Sequence, residues 1–181
     1  MIDKSTRPDI YDRALAFAEL HHANDYRKDG KTPYMVHVMA VDEITERLVK
    51  AEGVTPVPHD ILRAIKAVAV LHDVLENHRE ITRIDLITDL LAPNTHNLTD
   101  EQIVADSDNV MNVVGAVLAI TKKPKGEEPY DAYVRRVASN VWARIVKRAD
   151  LEHNMSDLGP GSMRDKYELT KWVLENVKVT P

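Results

Sequence analysis

Apolar residues recur along this chain at three- and four-residue spacing, segment after segment, and almost nowhere alternate with polar ones. That periodicity puts one stripe of each segment on a buried face, which commits the chain to packed helices rather than sheets. Ile10, Ala14, Phe17, Ala18 and His21 form the first stripe, from Pro8 in a first-turn position behind Ser5 and Thr6 to about Asn24. Val41, Ile44 and Leu48 mark a second helix over about 34–52, with Gly53 as its stop and Pro56 and Pro58 in the connector. Ile61, Leu62, Ile65, Val68 and Ala69 lead a third to His72. Thr82 and Asp85 open a short helix to about Leu91. Thr99 and Gln102 make a fuller capping box, opening a helical region that reaches Ile120 with a break near 106–108. Val134, Val137, Ala138, Val141 and Ile145 predict one amphipathic helix ending near Asp150, and a last helix covers about 163–177. Gly and Pro mark loops at 25–33, 92–98, 122–129 and 159–161. The expectation is an all-α fold, one domain of about seven or eight helices. An aromatic content of 5% agrees, since strands draw on aromatics.

Several function classes drop out on composition. With no cysteine there are no disulfides, thiolate metal sites or thiol nucleophiles. A net charge of −5 argues against a grip on nucleic acid, although local clusters at Arg27, Lys28 and Lys31 and at Lys122, Lys123 and Lys125 leave room for a small anion. No apolar run reaches the roughly 18 residues of a membrane span, and the first residues lack the apolar stretch of a signal peptide. No membrane partner is expected, and the cytoplasm is the expected location.

Two His-Asp dipeptides stand out, although a composition with 8 histidines yields about one by chance. His59-Asp60 follows Pro58 at a helix start, where Asp serves as a cap, and is read as structural. His72-Asp73 ends an apolar helix, where unpaired polar groups are costly. Its two readings are a hydrogen-bonded helix end and a pair of ligands facing one ion, with Glu76 and Asn77 four residues further on along the same side. His37 points inward with Val41, Ile44 and Leu48, the position of a satisfied core histidine or of a third ligand. Asp150 ends another helix behind the apolar Ala143, Val146 and Ala149, with Asn154 and Asp157 continuing its face.

The order His37, His72-Asp73, Asp150 resembles the signature of the HD-domain metal phosphohydrolases, an all-α family. From about Ala14 to Leu158 the chain is similar to the hydrolase domain of the RelA/SpoT alarmone enzymes and to the stand-alone small alarmone hydrolases. Residues 27–37 (RKDGKTPYMVH) resemble the family's Arg-Lys-x-Gly-x-Pro-Tyr-x-x-His, with one residue extra before Pro33. Residues 71–76 (LHDVLE) resemble its His-Asp-x-x-Glu-Asp, 120–122 (ITK) its Val-Thr-Lys, and 147–155 (KRADLEHNM) its Lys-x-Ala-Asp-x-x-His-Asn.

The resemblance implies that His37, His72, Asp73 and Asp150 are metal ligands, normally for Mn²⁺. It implies that Arg27 and Lys28 lie near base and phosphates, Asn154 at the ribose and phosphate end, and Tyr167 at a base-stacking position. Glu76 matches the first acid of the pair that handles the attacking water. The second acid is absent: Asn77 stands there, followed by His78 where the family has Thr. An amide positions a water but does not take its proton. The activity implied is removal of the 3′-diphosphate of guanosine 3′,5′-bis(diphosphate). The alternatives are another nucleotide phosphate as substrate, or a nucleotide-binding regulator that has lost hydrolysis.

Overall fold

The computed structural model describes residues 8–52, 57–91 and 99–176. Among them the order is α1 (Ile10–His21), α2 (Tyr34–Ala51), α3 (His59–Leu71), α4 (Val74–Asn77), α5 (Arg83–Leu91), α6 (Asp100–Ile120), α7 (Tyr130–Ser139), α8 (Val141–Ser156) and α9 (Ser162–Asn176). With α4 a single turn, eight full helices make the all-α bundle that the periodicity predicts. No strand occurs among the described residues, where one isolated bridge, Tyr26 to Pro33, closes the loop between α1 and α2.

At the centre lies α3, whose last turns, Ala64 to Leu71, are buried apart from Lys66. A helix apolar on nearly every side needs neighbours on every side, and α1, α2, α6 and α8 supply them. Small residues such as Ala64, Ala67 and Ala69 let those neighbours approach closely. Polar residues tie the bundle at its edges. Asp9 caps α1 by accepting from the Tyr11 and Asp12 amides, and Arg63 of α3 reaches both Asp9 and Asp12 at 2.5 Å. Across the α2–α8 seam, Arg47 pairs with Glu152 and Arg148 with Glu52.

Both capping boxes form where expected. The Thr82 amide donates to Asp85 Oδ2 at 2.8 Å and the Asp85 amide returns a bond to Thr82 Oγ1, while Thr99 and Gln102 exchange the same pair. Three expectations are corrected. Asp60 does not cap α3: the cap position is Pro58, with no side-chain acceptor, and Asp60 lies in the first turn, where its charge meets the helix dipole. Residues 106–108 do not break α6, because Ser107 Oγ donates to Ile103 O and so follows the helix instead of competing with it. The helix expected to run to Asp150 is two helices. Asn140 sits between them at φ −111° and ψ 118°, its Oδ1 accepting from the Ala143 amide. Gly53, Pro56, the 92–98 loop, Ser5, Thr6 and Val177 lie outside the described residues.

By length and composition alone, α6 meets the criteria for a membrane-crossing helix. In the bundle its C-terminal half packs Val110, Val113, Val114, Val117 and Ile120 into the core. Arg136 of α7 then donates to the Leu118, Ala119 and Thr121 carbonyls, satisfying acceptors at the C-terminal end of α6. That closure sets Lys122 beside α4.

Candidate metal centre

Three helices deliver four side chains to one point. His37 comes from the first turns of α2, Asp150 from the penultimate turn of α8, and His72 and Asp73 from the joint between α3 and α4. The joint explains why two adjacent residues face the same way, since α3 ends at Leu71 and its successor starts only at Val74. His72 Nε2 lies 3.0 Å from Asp73 Oδ2, 3.2 Å from His37 Nε2 and 3.8 Å from Asp150 Oδ1. His37 Nε2 lies 3.6 Å from Asp73 Oδ2 and 3.3 Å from Asp150 Oδ1. Nitrogen and oxygen ligands about 2.0–2.2 Å from one ion stand about 3–4 Å from each other, and these atoms already do.

The surroundings prepare these atoms as ligands. His72 Nδ1 lies 2.8 Å from the Ala69 carbonyl, an acceptor only, so Nδ1 keeps its proton and Nε2 is the nitrogen turned to the cluster, where an ion would displace its proton. His37 Nδ1 lies 2.8 Å from His153 Nδ1. Burial, reinforced by His37 and Arg27, pushes His153 below its ordinary value, which keeps it neutral and able to accept from His37. The carboxylates are held too. Tyr34 donates to Asp73 Oδ2 at 2.5 Å, Lys147 to Asp150 Oδ2 at 2.6 Å, and Asn154 to Asp150 Oδ1 at 2.5 Å.

Electrostatics ask for positive charge at this point. Burial alone would push His72 down, but Asp73 and then Asp150 overcome it and hold the imidazole at about 9. Burial would raise both carboxyls, yet His72 beside Asp73 and Lys147 beside Asp150 keep each below the usual carboxylate range. Lys147, buried against Asp150, stays charged. His37, His72, Asp73 and Asp150 together can hold a metal ion. Two imidazoles and two carboxylates are a borderline-to-hard donor set, fitting a divalent first-row metal better than a softer ion.

The centre floors a cleft of about 320 Å³ that also exposes Glu76, Asn77, Arg27 and Lys122. Lys122 meets Glu76 through its backbone amide and its ammonium, each at 3.3 Å. Arg27 donates to Asn154 Oδ1 at 3.3 Å, linking the loop to the Asp150 shell. A neighbouring cavity of about 380 Å³ is walled by Tyr167, Met163, Leu158 and Val36 on one side and Arg27 and Lys28 on the other. Of the residues matched to site roles, His37, Asp73, Asp150, Glu76, Asn77, Arg27, Lys28, Asn154 and Tyr167 border one of two adjoining hollows, Lys28 only at an exposed rim, while His72 is buried beneath them. The structure adds Tyr34, Lys147 and His153 as supports. Each lies three residues from a ligand, a turn of helix away, which is the spacing that would have flagged them. Neither the comparison with protein-family models nor that with curated proteins finds a match, which leaves the side chains themselves to define the centre.

Proposed function

We propose that the chain is a cytosolic, Mn²⁺-dependent phosphohydrolase of the HD type, acting on guanosine 3′,5′-bis(diphosphate) and releasing pyrophosphate from its 3′ position. The observation that carries this reading is the convergence of His37, His72, Asp73 and Asp150 within 4.8 Å, at the floor of a cleft edged by cationic side chains. A divalent ion held by these four side chains supplies a Lewis acid for a phosphoryl oxygen and a water made easier to deprotonate. Glu76, in the same cleft, is the proton acceptor in this reading, with Lys122 fixing its carboxylate. Asn77 offers an amide that orients a water. Arg27 and Lys122 offset phosphate charge, and Tyr167 supplies an aromatic face for a base.

Incubation with Mn²⁺ and a panel of nucleotides, with products separated by anion exchange, tests the proposal. Pyrophosphate from guanosine 3′,5′-bis(diphosphate) is the expected product, and an inert panel would sink the hydrolase reading. Asn77 favours a second reading, the same chemistry on another nucleotide phosphate, which the same panel reveals. The centre itself is tested apart from turnover: His72→Ala and Asp150→Ala should each lose the bound metal by elemental analysis while the helical circular dichroism persists.

A further inference from the structure

We propose that His22, Asp25 and His78 form a second divalent-metal site, separate from the first and on the other side of the Tyr34 ring. Their ligand atoms, two imidazole nitrogens and one carboxylate oxygen, lie within 4.8 Å of one another. His22 Nδ1 stands 2.7 Å and His78 Nε2 2.8 Å from the same oxygen, Asp25 Oδ2. The Tyr34 ring packs against His22 at 4.9 Å and against His37 at 5.5 Å between centroids, so it separates the two groups.

The three residues come from places where the backbone is fixed. His22 is the C-cap residue of α1, its amide bonded to Ala18 O, and His78 is the C-cap residue of α4, bonded to Val74 O. Asp25 is pinned on both sides, its amide donating to His22 O and its carbonyl accepting from Tyr34 N. His78 turns its other nitrogen, Nδ1, toward Glu80 Oε1 at 3.4 Å, as a metal-bound histidine turns its free N–H toward a carboxylate. Without an ion, both imidazoles donate to Asp25. An ion replaces those two protons and needs separations of about 3–4 Å, a widening of a few tenths of an ångström. An open cavity lined by Asn24, Asp25, Tyr26, Tyr34 and Asn77 reaches the group from the Asp25 side. Two histidines and one carboxylate with open positions suit Zn²⁺, Co²⁺ or Fe²⁺ and not Mg²⁺.

Equilibrium dialysis of the full chain against Zn²⁺, read by elemental analysis, tests the site. Two ions per chain are expected for the wild type and one each for Asp25→Asn and His78→Ala, while His72→Ala loses the other ion and keeps this one. A wild type that binds a single ion, lost in His72→Ala and kept in Asp25→Asn, overturns the proposal, as does an Asp25→Asn, His78→Ala chain that still binds two. If the variants fail to fold, Co²⁺ titration of the wild type decides. Paramagnetic broadening of the His22 and His78 ring protons is expected, and rings that stay sharp at two equivalents overturn the site.

Discussion

At the scale of single residues, the proposed hydrolysis assigns to Asn77 and Glu76 together what two carboxylates would do. Glu76→Gln should stop hydrolysis while nucleotide binding persists, measured by turnover and by calorimetry on the same preparation. Asn77→Asp should raise turnover of the alarmone. Two neighbouring carboxyls raise the pKa of one of them, so the gain should grow with pH as that group ionises. The basic pair divides unevenly. Arg27 is half-buried on Asn154, whereas Lys28 is exposed. Replacing both with Ala should raise KM about tenfold or more, given about 1.5–3 kcal/mol for a charged hydrogen bond, with Arg27→Ala alone giving most of it. The four candidate ligands were legible one by one as anomalies, a His or Asp on or at the end of an apolar stripe, while their joining into one set came from the resemblance to the HD-domain enzymes. The spacing puts Tyr34, Lys147 and His153 one turn from a candidate ligand, but the contacts of Tyr34 and His153 span 39 and 116 residues, and only the folded chain shows which atoms meet.

The helix that carries the most site residues is α8, and Asn140 begins it. Asn140→Ala removes the acceptor for the Ala143 amide and should cost about 1 kcal/mol in denaturant unfolding. The helix break at Asn140 escaped the periodicity because α7 and α8 bury residues at compatible spacing on either side of it. Reading a stripe finds a buried face and not a change of axis. The opposite error arose in α6, where three polar residues in a row suggested an end that Ser107 avoids by bonding to its own helix. Capping boxes were the reliable local signal, since both partners of each bond lie within one turn. A C-terminal closure such as Arg136 on the end of α6 uses a residue from another helix and had no signal in sequence.

Across the whole molecule, acid sensitivity should follow the carboxylates that tie helices together. Hydrogen bonds from Lys50 and then Lys66 hold Glu46 at about 2, below its ordinary 4.5, and the Lys66 bond joins α2 to α3. A depressed carboxyl stabilises the fold above its unfolded value, and that contribution is lost as pH falls through the folded one. Glu46→Gln should therefore flatten the loss of thermal stability between about 4.5 and 2, with little change in its slope above pH 6. The fold class was legible in full, because seven or eight amphipathic stripes have few packings other than a bundle. The centre was legible as a ligand set but not as a geometry, since the convergence of α2, α3 and α8 is a property of the bundle.

The loop that bears Arg27 and Lys28 is built to stay in one shape. Asp29 accepts from the Lys31 amide, the Thr32 amide and the Thr32 hydroxyl, Arg27 N donates to Thr32 O, and Gly30 takes the left-handed turn at φ 67°. Its conformational entropy is therefore given up when the chain folds, not when an anion arrives. In the proposed function a phosphate meeting this loop loses its own freedom and little of the protein's, which would make recognition there closer to a key entering a cut lock than to a hand closing.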